Sequence, residues 1–161
     1  MNAVLQPEVD LRRRPMGLAD LPDVLAVEVC SYSHPWTRGN FIDSLAAGYV
    51  AEVLASPATG VVGYFVAMPG VDELHLLNIT VAPAWQGRGH GHTLLDAVQA
   101  QARAQGLGLL WLEVRQSNER ARTLYRRRGF AEVGLRKGYY PAVAGREDAV
   151  VMRLDLRASV F

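Results

Sequence analysis

Apolar residues along the chain change their spacing several times, and each spacing predicts one kind of element. They recur every three or four residues over 18–30, and Thr37 stands before a second short helical run. Two runs rich in β-forming residues, 49–55 and 61–68, flank a turn-forming segment of serine, proline, threonine and glycine. With a short strand over 11–15, the first half is predicted as one strand, two helices and a hairpin.

Strands and helices alternate in the second half. The predicted elements are strands over 74–81 and 109–114, helices over 93–105 and from Asn118 to an end at Gly129, and final strands over 130–140 and 148–156. This order predicts a mixed, mostly antiparallel α/β sheet of about seven strands flanked by four helices. Antiparallel hairpins are expected at its start and end, and right-handed crossovers between them. We expect one domain over 1–161, with loose termini at 1–10 and 157–161.

The composition is that of an ordinary globular domain. Half of the 161 residues are apolar, and 17 basic against 16 acidic residues leave a net charge of +1. This balance gives no support to a nucleic-acid or membrane-surface partner. The one cysteine, Cys30, excludes an internal disulfide and is expected to be a buried, inert thiol. Glu8 and Asp10 argue against a secretory signal, and no apolar run approaches about 18 residues, so we expect a cytoplasmic protein without a membrane span.

A loop with three alternating glycines, Gln-Gly-Arg-Gly-His-Gly at 86–91, stands between a predicted strand and a predicted helix. Glycines let backbone N–H groups approach an anion closely, and a helix N-terminus favours negative charge, so the loop is a candidate phosphate site. The dinucleotide-binding pattern fits less well, because His92 occupies its last glycine position. The lysine and hydroxyl of a P-loop are missing. An ordinary helix entry remains open from the residues alone.

The loop and its surroundings resemble a known superfamily. Gln86-x-x-Gly89-x-Gly91 is similar to the Q/R-x-x-G-x-G/A signature with which the Gcn5-related N-acetyltransferases (GNAT) hold the pyrophosphate of acetyl-CoA. Segment 78–83 resembles the strand whose backbone amides pair with the pantetheine arm in that superfamily. Further motifs over 11–156 resemble the bacterial ribosomal-protein alanine N-acetyltransferases, the RimI family. These motifs are Pro35-Trp36, 112–118, Leu124-Tyr125, Gly129-Phe130, 139–141 and 145–148.

The resemblance implies a GNAT-type fold and acetyl-CoA as the co-substrate. The cofactor-binding residues that it implies are Ile79, Thr80, Val81, Gly87, Arg88, Gly89, His90, Gly91, His92 and Asn118. From the residues alone Asn118 is a helix cap, and the two roles can coexist. No metal is expected, because the four histidines lack the spacing of a metal site and have no cysteine partners.

Glu113 interrupts an apolar strand and lies on the strand face that Trp111 and Arg115 share. In apolar surroundings we expect its pKa to rise toward that of a useful general base. From the residues alone, an ion pair with Arg115 is the alternative. The resemblance implies that Glu113 accepts the proton of the attacking amine, directly or through water.

Tyr125 lies in the middle of a predicted helix, where the pattern alone makes it a core aromatic with its hydroxyl at the boundary. The resemblance implies that it donates a proton to the departing thiolate of coenzyme A. Both substrates would then be bound at once, and no covalent enzyme intermediate would form.

The resemblance also implies an acceptor, the N-terminal alanine of small-subunit ribosomal protein eighteen. It places the acceptor groove at the late hairpin, near 139–141 and 147–148. The chain departs from the family pattern in its longer leader and in Gly138, so another protein N-terminus, a small-molecule amine or a non-catalytic acyl-CoA sensor remain alternatives. The arginine runs at 12–14 and 126–128 are expected on the solvated surface. The alternative is that one of them, or Arg88, contacts cofactor phosphates or ribosomal material.

Overall fold

The computed structural model describes residues 9–159. Its elements, in chain order, are β1 (Arg12–Pro15), α1 (Leu21–Ser31), α2 (Arg38–Ala46), β2 (Val50–Ser56), β3 (Gly60–Pro69), β4 (Glu73–Val81), α3 (His90–Ala104), β5 (Leu109–Arg115), α4 (Glu119–Arg127), β6 (Ala131–Ala142) and β7 (Gly145–Asp155). This confirms the predicted order of strands and helices. The expectation of loose termini falls partly on 1–8 and 160–161, outside the described residues, while a short 3-10 turn follows β7 at Leu156–Ser159. None of the helices in the described range is long and apolar enough to cross a membrane.

The described strands form a seven-stranded sheet in the order β1-β2-β3-β4-β5-β7-β6. β4 and β5 pair in parallel, and the other neighbouring pairs are antiparallel. The last strand, β7, lies inside the sheet between β5 and β6, because the final hairpin inserts its second strand against β5. The predicted class, a mixed and mostly antiparallel α/β sheet with a hairpin near each end, is confirmed.

A side-chain cap and one glycine set the helix starts that border the site. Asn118 caps α4, and its Oδ1 accepts a hydrogen bond from the backbone N–H of Ala121 at 3.1 Å. The predicted start of α3 at residue 93 is wrong. The helix begins at His90, because Gly89 adopts a left-handed φ of 85° and serves as its N-cap. The glycine loop therefore runs directly into the first turn of α3.

Helices cover both faces of the sheet. On one face α1 and α2 pack over β2 and β3, around the fully buried side chains of Phe41 and Tyr64. On the other face α3 packs against β3 and β4. Its Leu94, Val98 and Ala102 are fully buried, as their four-residue spacing predicts.

The buried face of α1 differs from the expected one. Leu21, Val24 and Glu28 are its buried residues, three and four positions apart. Cys30 falls outside this spacing and is exposed, so the expectation of a buried thiol is wrong. A carboxylate, Glu28, thus belongs to the interior of the protein.

β4 and β5 separate partway along their length, and this separation makes room for the site. Their parallel pairing covers only residues 73–76 of β4 and 109–112 of β5. Beyond it, β4 continues to Val81 along β3, while β5 continues along β7. A β-bulge leaves Leu77 of β4 without a partner on β3 at the point of separation. The far end of β4 therefore borders a gap. On the side of this gap, its backbone N–H and C=O groups do not pair with another strand.

Candidate active site

Two cavities meet in the gap between β4 and β5. The loop cavity, about 820 Å³, lies between the end of β4, residues 85–92 and α4. The sheet cavity, about 680 Å³, lies between α1, the segment that follows it, β5 and Tyr140-Pro141 of β6. Both have the size of small-molecule sites. The lining residues that they share are Ser31, Tyr32, Ile79, Asn118, Ala121 and Tyr125. Ligands in the two cavities would meet at this shared wall.

The loop cavity brings together the predicted cofactor residues except one. Its lining includes Ile79, Thr80, Val81, Gly87, Gly89, His90, Gly91, His92 and Asn118. Arg88 is the exception, since it is not among the lining residues. Its guanidinium lies over the ring of Trp85, 4.8 Å from the ring centroid, so it holds the loop by a cation–π contact.

Two glycines of the loop are required by its backbone. Gly87 and Gly89 have φ values of 77° and 85°, a left-handed region that side chains disfavour. A Cβ at Gly91 would lie 3.4 Å from Cδ2 of Leu124, an ordinary van der Waals distance, so this position does not require glycine. The first helical hydrogen bond is from Thr93 N–H to the carbonyl of Gly89. The N–H groups before it, at the start of α3, are free to meet an anion in the loop cavity.

Two side chains donate hydrogen bonds to backbone carbonyl groups on the free edge of β4. The hydroxyl of Tyr32 donates to the carbonyl of Ile79 at 3.1 Å, and Gln86 Nε2 donates to the carbonyl of Val81 at 3.1 Å. Arg120 Nη1 in turn donates to Oε1 of Gln86. Because the N–H and C=O of one strand residue point to the same side, the N–H groups of Ile79 and Val81 also face the gap. They could pair with an extended amide-containing ligand.

Glu113 lies on the wall of the sheet cavity with basic partners on both carboxylate oxygens. His75 Nε2 is 2.5 Å from its Oε2, and Arg136 Nη2 is 3.5 Å from its Oε1. Its side chain is 8% exposed. The expectation of apolar surroundings for Glu113 is therefore wrong, because β4 and β6 each contribute a basic side chain to this face of the sheet.

Arg115 is not the ion-pair partner of Glu113. Its Nη1 donates to the carbonyl of Pro141 at 2.8 Å and to Oε1 of Glu147 at 3.2 Å, and its guanidinium lies over the ring of Tyr140. The alternative drawn from the residues alone is thus wrong. Residues two apart on β5 share a face, but Arg115 leans toward the final hairpin and away from Glu113.

Tyr125 lines both cavities, at the wall that they share. Its ring also packs in the core against Phe130, with centroids 5.6 Å apart, so the predicted core role and a position at the site coexist. Burial raises the pKa of the Tyr125 hydroxyl above its ordinary value of 10.0, and Tyr32 and Tyr140 add to the shift. The hydroxyl therefore carries its proton at neutral pH.

A buried polar network at the sheet cavity was not anticipated from the sequence. Glu28 is 1% exposed, and its carboxylate accepts hydrogen bonds from the Tyr64 hydroxyl and from Asn78 Nδ2, both at 2.8 Å. Thr80 Oγ1 connects Asn78 to Tyr32 through contacts of 2.8 and 2.7 Å. The network fixes β4 and the end of α1 against each other. Its one signal in the sequence is that Glu28 falls on the buried helical spacing of α1.

The late hairpin contributes only part of the predicted acceptor region. Tyr140 and Pro141 line the sheet cavity, opposite His34 and Trp36. The other predicted residues, Tyr139, Glu147 and Asp148, are not among its lining residues. Glu147 holds the turn after β5 by accepting from the N–H of Ser117, and Asp148 accepts from the N–H of Gly138, while Tyr139 is exposed.

The basic residues of α4 and of its C-cap, Arg128, divide into two groups. Arg122 and Arg126 form ion pairs with Glu132, and Arg128 forms one with Asp96. Arg120 and Arg127 line the loop cavity instead. Positive charge at the loop cavity therefore comes from these two arginines and from the partial positive charge at the N-terminus of α3.

The described residues contain no group of three or more histidine, cysteine or acidic side chains that could hold a metal ion.

Both the sequence and the fold are similar to those of known proteins. The acetyltransferase (GNAT) family model matches residues 21–130. The [ribosomal protein bS18]-alanine N-acetyltransferase of Haemophilus ducreyi is 36% identical over 138 residues, 85% of this chain and 94% of that protein. The protein of the same name from Escherichia coli is 34% identical over 137 residues, 85% of this chain and 92% of the relative. A crystal structure of the ribosomal-protein-S18-alanine N-acetyltransferase from Escherichia coli matches with a TM-score of 0.84 at 32% identity, covering 91% of this chain and 94% of that chain.

Proposed function

This chain belongs to the acetyltransferase (GNAT) family, and from that premise we propose that it transfers the acetyl group of acetyl-CoA to the N-terminal alanine of ribosomal protein bS18. The observation that carries the proposal is the pair of cavities that meet at Tyr125, one at the glycine loop and one at Glu113. The acceptor is inferred from the relatives whose names state this activity. The alignments cover most of this chain and most of each relative. The assignment of each site residue is part of the proposal.

The loop cavity suits acetyl-CoA, which when bound supplies an activated thioester. Residues 86–91 and the first turn of α3 offer backbone N–H groups to its pyrophosphate. The N–H groups of Ile79 and Val81 face the gap and are suited to the amides of the pantetheine arm. Asn118, already the cap of α4, lies on the wall shared by the two cavities. The thioester would then lie at this shared wall, beside the hydroxyl of Tyr125.

The sheet cavity suits the acceptor amine. An α-ammonium has a pKa of about 8 and must lose a proton before its nitrogen can attack. Glu113, on the wall of this cavity, accepts that proton directly or through water. As the new C–N bond forms and the C–S bond breaks, the nitrogen loses its second proton to water and the departing sulfur takes a proton from Tyr125, which regains one from water. Both substrates react in one ternary complex, and no residue of the chain is acylated.

A panel of acceptors tests the proposal. The protein is given acetyl-CoA with a peptide of the bS18 N-terminus, the same peptide with its α-amine already acetylated, other alanine-starting peptides and a polyamine. We expect the highest kcat/KM with the bS18 peptide and none with its blocked form. A preference for the polyamine would contradict the protein acceptor, and saturable acetyl-CoA binding without turnover on any amine would favour the acyl-CoA sensor.

A further inference from the structure

His75 is in direct contact with the carboxylate of Glu113, and the proposed function leaves it without a role. The two residues come from neighbouring parallel strands, where His75 pairs with Trp111 and Glu113 follows two positions later on the same face. His75 Nε2 lies 2.5 Å from Glu113 Oε2, a short hydrogen bond between residues 38 positions apart. The contact is thus built by the fold and not by local sequence.

His75 is more exposed to solvent than Glu113, so it can pass a proton from Glu113 to water. Its side chain is 22% exposed, against 8% for Glu113. The charged groups on this face include Glu73 of β4, Glu113 and Arg115 of β5, Arg136 of β6 and Arg153 of β7, whose guanidinium lies over the ring of Trp111. From β3, the residue in register with His75 is the apolar Met68. Within residues 9–159, the titratable side chain in hydrogen-bond contact with Glu113 is His75, so this residue can take up a proton that reaches Glu113.

We propose that His75 is a relay and positioning residue for the acetyl transfer, and this inference rests on the proposed function. Glu113 takes a proton from the acceptor ammonium and must give it up before the next turnover. Imidazole ordinarily titrates near pH 6.5, between a carboxylic acid and an amine, and so is suited to the next step. In its Nδ1–H tautomer, neutral His75 accepts the proton at Nε2; the imidazolium then releases its Nδ1 proton to water, and tautomer exchange through water restores the starting form. No electrons are transferred in this step.

The first test is the pH dependence of kcat in wild type, in His75→Gln and in the control Glu73→Gln. Glutamine can hydrogen-bond to Glu113 but cannot titrate, and Glu73 lies on the same strand and face two positions before His75. For wild type, kcat should fall on the acidic side of its pH profile, because protonated His75 cannot accept. In His75→Gln kcat should drop about 100-fold, the lower end of what a positioned acid–base group contributes, with that limb displaced to lower pH. The KM for acetyl-CoA should be unchanged, and Glu73→Gln should match wild type.

The second test is chemical rescue. Imidazole added to His75→Ala should restore part of kcat, whereas it should not restore Glu113→Gln. Unfolding midpoints of each variant show that the fold is retained. The inference is overturned if His75→Gln keeps the wild-type pH profile or if imidazole leaves His75→Ala unchanged, while the proposed function stands as long as wild type turns over. A wild type without turnover on any amine would remove the proposed function and this inference together.

Discussion

The carboxylate of Glu28 accepts a hydrogen bond from the hydroxyl of Tyr64 at 2.8 Å, within the core that joins α1 to the sheet. Glu28 lines the sheet cavity, as Glu113 does, so this hydrogen bond helps to fix the cavity wall. Desolvation raises the pKa of Glu28 above its ordinary value of 4.5, although hydrogen bonds from Tyr64 and Asn78 oppose the shift. The folded protein therefore binds this proton more tightly than the unfolded chain does.

The first prediction concerns Glu28 and the pH dependence of stability. Because the folded-state pKa is raised, the contribution of Glu28 to the free energy of unfolding is fully present below pH 4.5 and decreases as pH rises through the folded value. Glu28→Gln keeps the shape and removes the titration, so the stability of wild type relative to this variant should decrease between pH 4 and pH 8. Urea unfolding at several pH values measures this. A difference that stays constant over the range would contradict the account.

Tyr64→Phe removes the hydroxyl while leaving the buried ring. It should lower the free energy of unfolding by about 1–3 kcal/mol at neutral pH, because the carboxylate of Glu28 loses a partner in the interior. Tyr49→Phe is the matched control, since Tyr49 packs at the edge of the same core and is partly exposed. Equal stability losses in the two variants would show that the buried hydrogen bond to Glu28 contributes no more to the free energy of unfolding than a partly exposed tyrosine hydroxyl does.

Tyr125→Phe tests the proton donor. The ring contact with Phe130 is retained, so the unfolding midpoint should stay near that of wild type. We expect kcat to fall about 100-fold with little change in the KM of either substrate, in keeping with loss of a positioned acid. Steady-state kinetics on an alanine-starting peptide measure both. If kcat is unaffected, Tyr125 is a core residue only.

Gly89→Ala and Gly48→Ala form a matched pair for the loop. Both glycines have left-handed φ values, 85° and 78°, and a Cβ at either would meet no atom within 4 Å. Each variant should therefore lose about 1–2 kcal/mol of stability from backbone strain alone. Only Gly89→Ala should also raise the KM for acetyl-CoA, because Gly89 lines the loop cavity and Gly48 does not. Equal KM values in the two variants would remove the loop from cofactor binding.

Arg127→Gln and Arg126→Gln test the positive charge at the loop cavity. Arg127 lines the cavity, whereas Arg126 pairs with Glu132. If Arg127 contacts a phosphate of the cofactor, its loss should raise the KM for acetyl-CoA about tenfold, the effect of one charge-assisted hydrogen bond of about 1.5 kcal/mol. Arg126→Gln should leave this KM unchanged. The opposite ranking would place the cofactor phosphates elsewhere on α4.

The order of the elements could be predicted because local signals specify it. Apolar periodicity marks each strand and helix, and the caps Thr37 and Asn118 stand where expected. The predicted start of α3 is three residues late, because Gly89 caps the helix through its left-handed backbone conformation. The amino-acid sequence alone does not show that conformation. These local features account for most of the fold.

The polar partners of the site could not be predicted, because they are made between distant segments. The contact of Glu113 with His75 spans 38 positions, and that of Glu28 with Asn78 spans 50. The first depends on the parallel register of β4 and β5, and the second on the position of Asn78 after the bulge at Leu77; apolar spacing leaves both undetermined. The residue types were visible in the sequence, whereas their pairing required the sheet.

The central claim is that this chain acetylates the α-amine of the N-terminal alanine of bS18. Its most direct test is to incubate unmodified bS18 with acetyl-CoA and the protein, and to locate the acetyl group by mass spectrometry of the digested product. The account predicts one acetyl group on the N-terminal alanine with wild type and almost none with Glu113→Gln. Acetylation at lysine side chains, or equal modification by both proteins, would contradict it.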